Sequence, residues 1–349
     1  STAISYYSAE PDRTEEVLRF WAAIWRHPLT RGHREPIAQL RAALARDVSV
    51  PAGLRGRAAL AAATLVAYVL GNIDLSELHA GQALAEEAAT LGRQVGDSPL
   101  VVNALAILSI CCTFSGDIEQ GAICAQEAVV LATALGDRRL MGIAIGALAK
   151  AIPERERELN IEALDHLHEA GDTWWMNRVL GRVSQLALDE GRTDEGRVYA
   201  ERFLASAEEL GPGIPLLMAW NNVATFALLR GEGPTAISFA RRTLTASRIG
   251  GNPGITTEAL FRLAGGESLR GNDRLAAELW GAFEVRDDEL LSSSPIQGWY
   301  WPSWEVELRE EIEQRLQQAL GVEEFERLRT LGRSLRLQEA CDLALSIRT

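Results

Sequence analysis

At 349 residues the chain exceeds the usual single globular domain, so length alone predicts two domains or an extended repeat array. Hydrophobic residues make up 47% and charged residues 24%, ordinary for a folded chain, and no 18-residue uncharged apolar run marks a membrane span. The formal net charge of −13 repels nucleic acid phosphates, and no local basic patch offsets it, which argues against direct nucleic acid contact.

The opening stretch "STAISYYSAEPDRTEE" lacks the basic-then-apolar order of a signal peptide, and the missing initiator Met reads as an excised fragment or a processed chain. "EEVLRFWAAIWRH" and "REPIAQLRAALAR" then form a helical pair in which Trp21 and Trp25 are expected to face Leu40 and Leu44. This N-terminal cap is assigned to residues 1–53.

From residue 54 to 290 the chain repeats itself. A helix-ending phrase recurs as "QVGD" at Asp97, "ALGD" at Asp137, "EAGD" at Asp172, "ELGPG" near Gly211 and "IGGN" near Gly250. Between these, a Gly-centred turn splits each unit into two helices: "LGNID" at Gly71, "SGDIE" at Gly116, "EGRTD" at Gly191, "RGEGP" at Gly231 and "RGNDR" at Gly271. Gly at a helix end takes the left-handed conformation that stops the helix, and a following Asp, Asn or Thr caps the next one. Small and large residues alternate at helical offsets, as in Trp220, Val223, Ala224 and Ala227 followed by Ala236, Ala240 and Thr243.

This pattern resembles the tetratricopeptide repeat in a longer form of about 40 residues. Two departures stand out. The first unit carries extra residues in "LGNIDLSELHAGQ", and the third has "KAIPERERELN" in place of Gly-Asp, with Pro153 as the breaker. Residues 291–349 hold the stretch "QGWYWPSW" and three closing helices, the last capped by Ser334 or a neighbour. The aromatic stretch falls where a solenoid must cover its last apolar face. Capping is therefore its preferred role, and an aromatic ledge of Trp299, Tyr300 and Trp304 for a sugar or an apolar peptide is the alternative. The fold class expected is all-α, a right-handed superhelix of six or seven tetratricopeptide-like pairs with a C-terminal helical cap.

The order of parts, from "EPIAQLRAAL" through "AAELWGAFEVRDDEL" to "ALGVEEFERLRTLGRSLRLQEACDLAL", resembles the repeat region of large LuxR-type or MalT-like bacterial signal-transduction ATPase regulators. The closing motif of that family corresponds to Gly332, Arg333, Ser334, Leu335, Leu337, Glu339, Ala340, Leu343, Ala344 and Leu345. The resemblance implies an effector- or partner-binding arm that works on an ATPase module of the same parent chain. A stand-alone peptide-binding scaffold, or the repeat arm of a kinase or cyclase regulator, is the alternative. No "GxxxxGK[ST]" loop is present in these residues.

Little in the sequence speaks for catalysis. The four cysteines, Cys111, Cys112, Cys124 and Cys341, have no metal spacing and read as buried thiols of a reducing cytoplasm. His166 and His168 point to opposite sides of a helix, wrong for joint metal ligation. No serine elbow, Cys-His pair or phosphate cradle emerges, so the chain is expected to be non-enzymatic, without cofactor or metal.

In a solenoid the first helices of successive units line the concave side, the usual binding face. Their candidate residues are Asn103, Arg178, Arg182, Gln185, Asn221, Asn222, Thr225, Glu258 and Arg262, with Ile107 beside them. Arg178 and Arg182, one turn apart, suit a carboxylate of a protein, peptide or small effector. Asn221 and Asn222 suit a peptide backbone or a sugar. The competing reading pairs these arginines with Asp189 or Glu258. Of the adjacent Trp174 and Trp175, one is expected in the core and the other partly exposed, with Trp174 a further candidate for an aromatic ledge.

Overall fold

The computed structural model describes residues 13–46, 49–70, 75–247, 253–293 and 302–346. Trp299, Tyr300 and Trp301 lie outside them. The described residues contain no strand. Three short helices come first: α1 (Thr14–Ile24), α2 (Arg26–Arg31) and α3 (Glu35–Leu44). Val17, Leu18 and Leu40 are buried between them, and the Trp21 indole Nε1 donates to Gln39 Oε1 at 3.1 Å.

Helical pairs follow. α4 (Ala52–Leu65) runs into a π-turn (Val66–Leu70) and pairs with α5 (Leu75–Val95); α6 (Ser98–Phe114) pairs with α7 (Ile118–Leu135), and α8 (Arg138–Ala151) with α9 (Glu156–Glu169). Then come α10 (Thr173–Asp189), α11 (Thr193–Leu210), α12 (Ile214–Leu229), α13 (Gly233–Ser247), α14 (Pro253–Leu269) and α15 (Asp273–Ser293). Three helices close the chain: α16 (Ser303–Leu320), α17 (Val322–Ser334) and α18 (Leu337–Ser346).

The recurring turns have the local cause that the sequence predicts. Asp97, Asp117, Asp137 and Asp172 each accept a hydrogen bond from the backbone N–H three residues on, satisfying a donor that the first helical turn leaves orphaned. Gly136, at φ 65°, ends α7 in the left-handed region. Where the third unit lacks Gly-Asp, α8 stops at Ala151 and a 3₁₀ turn over Pro153–Arg155 leads into α9. The excess in the first unit's turn follows directly on the π-turn, a geometry that absorbs one extra residue per turn.

Small residues set the spacing within pairs. A Cβ placed on Gly196 of α11 would lie 3.0 Å from the Ser184 carbonyl oxygen on α10, so only glycine permits this approach. Ala224, Ala236, Ala240 and Thr243 are buried as their offsets predict. The chain is thus an all-α protein of tetratricopeptide-like helical pairs, and no described helix is long and apolar enough to cross a membrane.

The pairs divide into two compact units, the first ending at Val179 and the second beginning at Leu180, within α10. In the second unit, Leu260, Phe261, Leu279, Trp280 and Phe283 form one apolar cluster with Leu308, Ile312, Leu316, Phe325 and Leu328 of the closing helices. α15 and α17 touch backbone to backbone. A Cβ on Gly281 would overlap the Arg329 carbonyl, and one on Gly332 the Glu278 carbonyl. Beside this crossing Arg329 grips Glu284 with two hydrogen bonds, 2.7 and 2.6 Å.

Of the residues expected to cap the last helix, Ser334 or a neighbour, Ser334 does not bond into it. Ser334 Oγ donates backwards to Leu331 O, and Glu339, in the first turn of α18, accepts from the Arg336 N–H at 2.8 Å. The carboxylate wins because it carries full charge and reaches back from inside the helix.

Candidate functional site

Four of the residues predicted for a binding face, Asn221, Thr225, Glu258 and Arg262, do meet in the second unit, but in a hydrogen-bond network that leaves only Asn221 Oδ1 among their buried polar atoms without a partner among the described residues. Arg262, 7% exposed, donates through Nε to Asn221 O at 3.0 Å and Thr225 Oγ1 at 2.8 Å, and through Nη1 to Glu258 O at 2.9 Å. Asn221 Nδ2 donates to Ile255 O at 2.9 Å and to Glu258 Oε2 at 3.3 Å. Asn222 Oδ1 accepts from Ser184 Oγ at 3.1 Å. These bonds staple α12 to α14 and, through Ser184, to the latter part of α10. The expectation that Asn221, Asn222, Thr225 and Arg262 are open to a ligand is corrected. They are buried because successive first helices pack side by side, and most of their polar atoms take partners from one another.

Glu258 is different. It keeps 48% of its side-chain surface, and its ion pair to Arg262 spans 3.7 Å. Protein crowded around it pushes the carboxyl up; Arg262 pulls it down, while Glu305 and Asp287 add to the rise. Asn103, in the first unit, uses its Nδ2 on Pro99 O at 2.8 Å, and neighbouring Ile107 is buried. Gln185 is exposed and Arg182 half-buried, both in the second unit.

Trp304 is half-buried against Leu188, Ala200 and Phe226, and its indole Nε1 donates to Asp189 Oδ1 at 3.0 Å. It therefore covers part of the second unit's core. The acid that the sequence offered to an arginine is held by this indole. Trp299 and Tyr300, its proposed companions in an aromatic ledge, lie outside the described residues.

In the first unit Trp174 and Trp175 are both buried, 5% and 7% exposed, which corrects the expectation that one would face solvent. Partners from distant elements cover them. The two rings stack edge to face at 4.6 Å; Tyr68 of the π-turn stands 6.2 Å from Trp174 and 6.0 Å from Trp175, and Trp25 stands 6.0 Å from Trp174. Trp25, expected against Leu40 and Leu44, serves this cluster instead. Both indole N–H groups are buried with no hydrogen-bond partner among the described residues.

Arg178 completes the arrangement. Its guanidinium carbon lies 3.7 Å from the Tyr68 ring centroid and 5.5 Å from that of Trp174, and it hydrogen-bonds the Tyr68 hydroxyl. Desolvation lowers the Arg178 pKa and raises that of Tyr68, and no carboxylate pairs with Arg178 among the described residues. The neighbouring cation is balanced differently. Arg26 meets Asp172 Oδ2 at 3.0 Å, and Arg139 Nε reaches the same oxygen at 2.6 Å. Burial raises the Asp172 pKa, but the Trp175 N–H, Arg139 and Arg26 outweigh it and the net shift is downward. The sequence marks Trp174 and Arg178, but Tyr68, Trp25 and Arg26 carry no local signal of this contact.

The thiols are enclosed: burial pushes Cys111 up to about 12 and Cys112 up to about 11. His166 is buried with Nδ1 2.9 Å from Arg138 Nη1, whereas His168 faces out.

No family model matches the sequence, and no curated protein matches it either. Among solved structures, the chain is similar to the crystal structure of the apo form of RapI, with a TM-score of 0.45 and 10% identity over 86% of this chain and 99% of that one. A likeness at that level carries no conclusion about this chain, whose class is defined by its own helical pairs.

Proposed function

We propose that this chain is a non-catalytic, partner- or effector-binding repeat domain, and that the first unit engages a carboxylate of its partner through Arg178. The observation that carries this reading is a half-buried guanidinium stacked on Tyr68 without an acidic partner among the described residues. A desolvated cation lacking a counter-ion favours an incoming anion, and the guanidinium donors not used on the Tyr68 hydroxyl can form a fork. The uncapped Trp174 and Trp175 N–H groups in the same cluster support the same polarity, since each is a donor seeking an acceptor.

The finer reading is that the domain serves a LuxR-type or MalT-like regulator, acting on an ATPase module of the parent chain. It rests on the sequence resemblance that ends in the Gly332–Leu345 motif. A parent coding region with neither a phosphate-loop module before this segment nor a helix-turn-helix after it would remove that reading and leave partner binding standing.

The test is a thermal-shift titration of the chain with short acidic peptides, wild type against Arg178→Gln. A ligand that binds only the folded state raises Tm with concentration. The expected outcome is a rise in the wild type that is absent in Arg178→Gln, with unchanged far-UV circular dichroism. Equal rises in both proteins would place the carboxylate elsewhere.

A further inference from the structure

Within the second unit a groove of about 700 Å³ runs along α13, from Trp220 on α12 to Arg270 just beyond α14. Its walls are of two kinds. Trp220, Pro234 and Ile237 give it an apolar floor, and Arg241, Arg242 and Arg270 bring three guanidinium groups to it.

Two of those cations share a single acid. Glu267, fully buried, accepts from Arg241 at 3.3 Å and pairs with Arg270 at 2.9 Å, with Asn272 Nδ2 at 3.3 Å as a third donor. Its oxygens are thereby occupied. Arg242 is exposed, lies 4.4 Å over the Trp220 ring and 5.2 Å over Phe239, and has no carboxylate partner among the described residues. Trp220 Nε1 and Arg241 Nε are buried donors that likewise lack an acceptor among the described residues. On a chain of net charge −13, a pocket with three arginines against one glutamate is a local reversal of sign.

We propose that this groove binds a small organic anion, its carboxylate or phosphate head held by Arg242 with Arg241 and Arg270, and its flat apolar body laid on Pro234 and Ile237 beside the Trp220–Arg242 stack. The volume lies within the range of about 300–1,000 Å³ usual for small-ligand sites. The chemistry follows from the walls. Stacking on Trp220 fixes the plane of the Arg242 guanidinium and leaves its edge N–H groups pointing outward, the geometry that takes an oxyanion bidentately. An inorganic ion alone would leave the apolar floor wet, and a neutral ring would leave the extra cation unpaired. The site is separate from Arg178 in residue and in unit, so the two proposals stand or fall apart.

The test is isothermal titration calorimetry of the chain with 2-naphthoate, 2-naphthyl phosphate, inorganic phosphate and the neutral 2-naphthalenemethanol. Saturable binding is expected for naphthoate or naphthyl phosphate, at least tenfold tighter than for the alcohol or for inorganic phosphate. Whichever of the two aryl anions binds tighter identifies the head group. Arg242→Gln should weaken that binding at least tenfold; because Arg242 is exposed, its variant should keep the wild-type Tm. No binding of either aryl anion would overturn the proposal. So would equal affinity for the neutral alcohol, a preference for inorganic phosphate, or unaltered binding by Arg242→Gln.

Discussion

At the scale of single residues, Asp172 shows how one side chain can do several jobs. It ends one repeat in the "EAGD" phrase, caps α10 through the Trp175 N–H, and gathers Arg26 and Arg139 onto one oxygen. Its folded pKa lies below its unfolded one. The stability it adds is therefore fully present above the unfolded carboxylate pKa of about 3.9, and is lost as pH falls through the lower folded value. Asp172→Asn keeps a capping oxygen but removes the charge, so it should cost about 1–3 kcal/mol at pH 7. Urea unfolding of both proteins from pH 7 down to pH 2 checks this. The gap should hold to about pH 4 and close below it; a gap that widened on acidification would show that the carboxylate is not held in its charged form.

At the scale of helices, the closing segment depends on two glycines that meet across α15 and α17. Because an added methyl at Gly332 would meet the Glu278 backbone, the helices would have to separate, drawing Phe325 and Leu328 away from Leu279 and Phe283. Gly332→Ala should therefore destabilise by about 1–3 kcal/mol or more, although alanine is the better helix former. Gly53→Ala is the control, since its methyl would meet only the Arg57 and Val95 side chains, at 3.5 Å and beyond. A lower Tm for Gly332→Ala alone is expected in calorimetry, and equal Tm values would mean that the crossing is looser than drawn. Helices and turns were the most legible part of the sequence, because Gly stops and Asp caps act over three or four residues. Their crossing was not legible, since nothing local to Gly332 or Gly281 announces a contact between distant helices.

At the scale of the whole molecule, legibility divides along the same line. The pairing of helices follows from a repeating small-large pattern, which neighbouring units satisfy in the same way. The candidate site does not repeat. Arg178 was found by its charge on a first helix, but Tyr68 and Trp25 reach it from far along the chain. Asn221, Thr225 and Arg262 looked available because sequence spacing places them on one face without saying that the next helix covers it. Coverage is also what the end of the array requires, since a stack of pairs leaves its last apolar face open unless another element closes it. Here α16, α17 and α18 do so, setting Ile312, Leu316, Phe325 and Ala344 against the cluster that contains Leu260, Trp280 and Phe283. Ending the chain after Ser293 would bare that face, and exposed patches of this kind drive association. The shortened protein should elute as aggregates in size-exclusion chromatography with light scattering, and bind a hydrophobic dye that the full chain ignores. A well-behaved truncated protein with an unchanged unfolding transition would mean that the second unit holds its core without the closing helices.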